Sequence, residues 1–174
     1  VHRRALRYRM TASLEIVILA AGQGKRMYSA CPKVLHELAG RPLLGHVLKA
    51  SRALGARRIH VVYGHGGDQV QARFPETDLS WAHQAEQLGT GHALAQALPA
   101  VADDATVLVL YGDVPLISPD TLRALVEATG SADLALLTVR LDNPKGYGRV
   151  LRGADGRVQR VVEEKDASED EREI

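Results

Sequence analysis

The sequence predicts an α/β fold: a mostly parallel sheet with helices on both faces, plus an antiparallel hairpin flap near the carboxyl end. Three observations predict it. Short apolar runs rich in β-branched residues alternate with apolar residues at helical spacing, and the connections between them are short. Near the end the pattern changes to two strand-like runs around the turn Gly153-Ala154-Asp155-Gly156. Right-handed crossovers between parallel strands follow from the alternation.

Taken in order, Arg3, Arg4, Arg7 and Arg9 crowd a start with no apolar periodicity, so residues 1–14 read as a basic extension and 15–174 as the domain. Glu15 to Leu19 is the first strand and runs into a glycine-rich turn. Leu43, Val47, Ala50 and Leu54 share one face of a helix that opens near Pro42 and closes at Gly55. Ile59 to Tyr63 is the second strand. After the turn at Gly64 to Asp68, a weak helix runs to about Phe74, and Leu79 to His83 is a short strand. Gly89 to Val101 reads as helix and Thr106 to Leu110 as a buried strand. Ser118 as cap and Pro119 at the first helical position start an amphipathic helix bearing Leu122, Leu125 and Val126. Leu134 to Leu141 is a further expected strand, Arg149–Leu151 and Arg157–Val162 form the flap, and the acidic finish is helical. Trp81 and Phe74 are expected in the core.

At 174 residues, 45% hydrophobic and 25% charged, the chain suits one ordinary domain with a core that needs no staples. A formal net charge of +1 argues against a strongly basic nucleic-acid surface. Cys31 is the single cysteine, which excludes an internal disulfide and fits a cytoplasmic setting. No apolar run approaches the length of a membrane span, and Glu15 interrupts the signal-like start.

In open α/β sheets ligands sit beyond the carboxyl ends of the strands. The first strand leads into Leu19-Ala20-Ala21-Gly22-Gln23-Gly24-Lys25-Arg26-Met27, followed by Pro32-Lys33. Its glycines let backbone N–H groups approach a polyphosphate, which Arg26 and Lys33 would neutralise. The third glycine of a dinucleotide fingerprint and the Gly-Lys-Ser/Thr of a Walker loop are both missing, so a tight strand-to-helix turn remains the plain alternative. The third strand leads into Gln84-Ala85-Glu86-Gln87-Leu88-Gly89-Thr90-Gly91, where Gln84 offers a donor and an acceptor to a base edge, or is a loop side chain. Thr90 bonds a base or ribose, or caps a helix. The fourth leads into Tyr111-Gly112-Asp113, placing a carboxylate where Mg²⁺ could bridge it to phosphate, or a turn residue ahead of Pro115. His65-Gly66-Gly67 has no nucleophile elbow to serve. His36-Glu37 lacks a second zinc-site histidine, and the seven histidines show no ligand spacing with Cys31.

Together these motifs resemble the sugar-1-phosphate nucleotidyltransferases. Within that superfamily, Gln84 to Ala93, Tyr63-Gly64-His65-Gly66-Gly67 and Gly146-Tyr147-Gly148-Arg149 resemble the uridylyltransferase half of the bacterial bifunctional N-acetylglucosamine-1-phosphate uridylyltransferase/glucosamine-1-phosphate acetyltransferases. The resemblance runs from about Glu15 to Ile174. It implies the Rossmann-like nucleotide-diphospho-sugar transferase fold and the transfer of uridylyl from UTP to N-acetylglucosamine 1-phosphate. The products are UDP-N-acetylglucosamine, a precursor for peptidoglycan and lipopolysaccharide, and pyrophosphate.

By the same resemblance, Arg26 and Lys33 are the catalytic cations, and Leu19, Ala20, Ala21, Gly22, Gln84, Gly89 and Thr90 hold the nucleotide. Tyr111, Gly112, Gly148 and Glu163 line the sugar-phosphate side, and Asp113 ligates Mg²⁺. Lys25 stands where the family often has a small hydroxyl residue. The resemblance also implies a longer parent, homotrimeric through an acetyltransferase β-helix outside this sequence, so the domain here is expected to be incomplete at its carboxyl end. Two other readings keep the loop: a nucleotidyltransferase for another NTP or sugar phosphate, and a non-catalytic nucleotide-binding remnant.

Overall fold

The computed structural model describes residues 13–22, 24, 27–130 and 132–174. The basic extension up to residue 12 and the side chains of Lys25 and Arg26 lie outside the described residues. The chain forms two compact units, the first ending at Ala135 and the second spanning Leu136–Ile174.

The first unit is built on four parallel strands, β1 (Leu14–Leu19), β4 (Arg58–Tyr63), β5 (Leu79–His83) and β6 (Thr106–Tyr111), in the order β5-β4-β1-β6. β1 takes in Leu14, one residue ahead of the expected strand. Being central, it is apolar on both faces, and Ile16, Val17 and Ile18 are fully buried. Burial of each such side chain contributes about 1.5–3 kcal/mol. Ile16 and Ile18 pack with Leu44, Val47 and Leu48 of α1 (Leu43–Arg52), with Val70 of α2 (Gly67–Arg73), and with Leu122 of α4 (Pro119–Thr129). Val17 faces the opposite layer, against Ala93 and Ala97 of α3 (Thr90–Ala97). Helices thus cover both faces, as expected.

Local chemistry starts and stops these elements where the sequence suggests. The Ser118 hydroxyl accepts a bond from the Thr121 N–H at 3.1 Å and caps α4, with Pro119 at the first helical position. Phe74 is a core residue, and Trp81 packs against the same cluster with its ring edge-on to Tyr63. A small hairpin not expected from the sequence, β2 (Glu37–Leu38) and β3 (Arg41–Pro42), precedes α1, its turn made by Ala39 and Gly40 at φ 50° and 74°. At two residues per strand it is too short to show an alternating pattern.

Polar groups are also buried in the sheet. Glu15 and His60, on neighbouring strands, meet at 2.8 Å between Oε2 and Nε2, both all but fully buried. The other ring nitrogen, Nδ1, has no partner among the described residues.

The expected strand over 134–141 does not form: these residues belong to no ladder. Leu134, Leu137 and Val139 stay 68%, 57% and 70% exposed. An alternating apolar pattern makes a strand only where a neighbour accepts its N–H and C=O groups, and none does here.

The second unit contains the expected flap, β7 (Arg149–Arg152) paired antiparallel with β8 (Val158–Val162), then α5 (Glu169–Arg172). Ser168 and Glu171 form a capping box at the start of α5. Arg149 is buried, and its guanidinium donates to the carbonyls of Arg172, Pro144 and Tyr147, tying the Gly146-Tyr147-Gly148 loop to the end of α5.

Candidate functional site

The carboxyl ends of β1, β5 and β6 open onto one cavity of about 260 Å³. The strand order places β1 between β4 and β6, so successive crossovers leave it in opposite directions and a crevice opens at its end. Leu19, Ala20, Ala21 and Gly22 form one wall, Gln84, Gly89 and Thr90 a second, and Lys33, Tyr111 and Asp113 a third.

Each wall has a local cause. Ala20 and Gly112 extend the ladder beyond the strands, with Ala20 N–H donating to the Val62 carbonyl at 2.8 Å and Gly112 N–H to that of Leu19 at 2.9 Å. A Cβ on Gly112 would lie 3.2–3.3 Å from Val34, Ala20 and the Leu19 carbonyl, so glycine permits this close approach of the two strand ends. Lys33 opens a 3-10 turn, Lys33–Leu35, whose Val34 is buried in the core and fixes the turn from below. Gly24, at φ 61°, packs directly on Lys33: a Cβ there would stand 2.8 Å from the Lys33 Cβ. The lysine therefore lies against the loop's own glycine.

Lys33 Nζ and Asp113 Oδ2 are 2.5 Å apart, with both side chains partly exposed. Asp113 sits in a turn, closed by Val114 N–H to the Tyr111 carbonyl at 3.3 Å, yet its carboxylate is engaged across the cavity rather than locally.

Gln84 is buried and its side chain is committed to the protein. Its Nε2 lies 3.2 Å from the Gly89 carbonyl and 3.0 Å from His92 Nδ1. A carbonyl only accepts, so the Gly89 contact orients the amide, and Nδ1 of His92 accepts from the same group. The Gln84 amide keeps an acceptor oxygen but no spare donor, a narrower capability than the sequence suggested. Thr90 is the first residue of α3 and Gly89, at φ 106°, is its cap, so capping does not occupy the threonine hydroxyl.

The cavity also takes in Gln87, Val34 and Ala93, which were not among the site residues expected from the sequence. Gln87 stands in the same run as Gln84, and its place next to Gly64 is a tertiary fact: a Cβ on Gly64 would come within 3.2 Å of Gln87 Nε2. Gly148 and Glu163 belong to the second unit. There Gly148 runs close under β8, where a Cβ would be 3.3 Å from the Val162 carbonyl, and Glu163 lines a cavity with Gly146 and Arg172. Arg26 lies outside the described residues.

Among the described residues no group of three or more His, Cys, Asp or Glu side chains could hold a metal ion, and Asp113 is the only acidic side chain lining the cavity. One carboxylate fits a hard divalent cation that would take its other ligands from substrate and water.

A loop with glycines, a lysine and a carboxylate thus meet at a switch point of a parallel sheet, where α/β folds bind their ligands. The chain belongs to the family of the MobA-like NTP transferase domain, which matches residues 16–172. It is 64% identical over 161 residues to the bifunctional protein GlmU of Azoarcus sp. (strain BH72), an alignment covering 92% of this chain and 36% of that protein. The chain thus spans about a third of the length of the curated relatives it matches. Among solved structures it is similar to UDP-glucose pyrophosphorylase complexed with UDP-glucose, with a TM-score of 0.71 at 16% identity over 87% of this chain and 69% of that one. It is also similar to Rv0371C of Mycobacterium tuberculosis H37Rv in complex with manganese, with a TM-score of 0.61 at 23% identity over 88% and 72%. At those identities the likeness concerns the fold. The resemblance expected from the motifs is borne out by these relatives, and no helix among the described residues is long and apolar enough to cross a membrane.

Proposed function

We propose that this chain carries the uridylyl-transfer site for making UDP-N-acetylglucosamine and pyrophosphate from UTP and N-acetylglucosamine 1-phosphate, in the cytoplasm. The observation that carries the reading is the Lys33–Asp113 pair facing the Leu19–Gly22 backbone and the Gln84–Gly89–Thr90 wall across one cavity. The GlmU relatives support the choice of substrates, and the manganese complex of Rv0371C supports a divalent metal.

The sugar phosphate is already a competent nucleophile, so the reaction asks for positioning and charge neutralisation rather than a general base. Leu19 to Gly22 would present backbone groups to the uridine. The unsatisfied oxygen of Gln84 is an acceptor, which suits the N3–H of uracil and opposes the N3 lone pair of cytosine. Lys33 would swing from Asp113 to the α-phosphate as negative charge develops in the in-line displacement, and Arg26 would hold the β- and γ-phosphates. Asp113, released, would hold Mg²⁺, which when bound supplies charge neutralisation between phosphate oxygens. Tyr111 and Gly112 would receive the sugar phosphate.

The test is titration of UTP with and without Mg²⁺, followed by assay of pyrophosphate release on adding N-acetylglucosamine 1-phosphate. Tighter binding with Mg²⁺, and UTP preferred over CTP and GTP, are the expected results. Preference for another NTP would defeat the base assignment. A second reading is a nucleotide-binding remnant, favoured by the single carboxylate, Asp113, among the described residues lining the cavity and signalled by binding indifferent to metal and no product.

A further inference from the structure

A second cavity, of about 500 Å³, lies between the β2–β3 turn, α1 and the end of α2. It shares no lining residue with the nucleotide cavity. Its floor includes buried Leu48 and Phe74, and its wall carries four cationic side chains, Arg41, Lys49, Arg52 and Arg73, against one carboxylate, Glu76. Arg52 is engaged: its guanidinium grips Asp78 through two bonds of 2.8 and 2.9 Å and lies 3.7 Å from Glu76. Arg41, Lys49 and Arg73 have no carboxylate within ion-pair distance among the described residues.

Two of these three cations are braced. Gly45 leaves room for the Arg41 stem to lie across α1, since a Cβ there would be 3.0 Å from Arg41 Cγ. The Arg73 guanidinium stands 5.8 Å over the Phe74 ring. Unpaired like charges around one concavity repel each other and raise its positive potential, and a multivalent anion relieves both. Guanidinium forks match phosphate geometry in particular.

We propose that this cavity is a second anion site, which binds a small phosphate-bearing anion of the pyrophosphate or oligophosphate class. Its volume admits such an ion. Phe74, the aromatic residue lining it, is buried and offers no exposed face for a base to stack on, so a free oligophosphate fits better than a nucleic-acid strand. The site does not depend on the reaction assigned to the first cavity.

The experiment is calorimetric titration of the full chain with inorganic pyrophosphate and with tripolyphosphate, in an Arg26→Ala/Lys33→Ala background that removes both cations assigned to the nucleotide. The expected result is saturable one-to-one binding that weakens as salt rises. Arg73→Gln and Arg41→Gln should each weaken it about tenfold, with only a small shift in thermal melting because both side chains are exposed. Lys49→Gln gives a third, independent reading of the same site. The proposal is overturned if the doubly substituted chain shows no saturable binding, or if affinity is indifferent to all three further substitutions. It is also overturned if a single-stranded oligonucleotide of equal charge binds more tightly than tripolyphosphate and the substitutions weaken that binding.

Discussion

Lys33 Nζ and Asp113 Oδ2 face each other at 2.5 Å across the mouth of the cavity, which joins the glycine-rich loop to the end of β6 by a single ion pair. Under the proposed function the same two side chains would be the cation and the carboxylate that a nucleotide–metal complex needs, each neutralising the other until ligand separates them. Lys33→Ala should therefore weaken UTP binding in Mg²⁺ by about tenfold or more, the loss of one charge-assisted contact worth roughly 1.5–3 kcal/mol. Calorimetric titration of both chains reads this directly, and equal affinities would remove Lys33 from the site.

Gly24 gives the same loop a test that touches no charge. Its φ is 61°, and an alanine Cβ at this position would stand only 2.8 Å from the Lys33 Cβ, so Gly24→Ala strains the turn and pushes the lysine aside. Nucleotide affinity is expected to fall several-fold, with a stability loss of about 1–3 kcal/mol. A chemical-denaturation curve alongside the titration separates the two effects.

Gln84 bonds the Gly89 carbonyl and His92 Nδ1 from a buried position. Gln84→Met keeps the volume but leaves the imidazole nitrogen without its donor, at a cost of about 1–3 kcal/mol. The discrimination of UTP from CTP should shrink as well, because the acceptor oxygen is lost. Unaltered discrimination would detach Gln84 from base reading.

The Glu15–His60 pair is a core feature set back along its strands from the ends at Leu19 and Tyr63, so its effects should be on stability alone. Removing one partner, as in Glu15→Leu or His60→Leu, strands a buried polar group and is expected to cost about 3–5 kcal/mol. The double replacement should recover most of that loss. A double-mutant cycle by urea denaturation gives the coupling, and additive single effects would contradict it.

Hydrogen bonding from Arg52 holds the Asp78 carboxyl below the ordinary carboxylate range, with the charge of the guanidinium adding to the effect. A carboxyl lowered in the folded state stabilises the fold above its unfolded value of about 4 and loses that contribution as pH falls through the folded value. Since Asp78 is 48% exposed, solvent screening limits the effect to less than about 1 kcal/mol. Asp78→Asn should flatten the acid limb of the stability profile slightly below about pH 4, on the order of a few tenths of a kcal/mol, with the difference fading in high salt.

Much of this is legible in the sequence, for identifiable reasons. The strands at Glu15–Leu19, Ile59–Tyr63 and Leu79–His83 are read from apolar runs, and the cap at Ser118 from the chemistry of its hydroxyl. Leu19 to Gly22, Gln84, Tyr111 and Asp113 lie at or just after strand ends, Lys33, Gly89 and Thr90 are picked out by the motif resemblance, and all line one cavity. The stretch 134–141 misleads because periodicity reports the side chains and says nothing about whether a neighbouring strand is there to bond the backbone.

By itself, then, the sequence determined the alternation of elements, the family and the residues at the strand ends, since each depends on local pattern and motif order. Tertiary structure alone decided three things: that Lys33 lies on Gly24 and meets Asp113, that Gln84 spends its donors on Gly89 and His92, and that Arg41, Lys49 and Arg73 converge around one hollow. These are meetings between residues far apart in the chain, or choices among several hydrogen-bond partners, and they are fixed by packing rather than by spacing along the sequence.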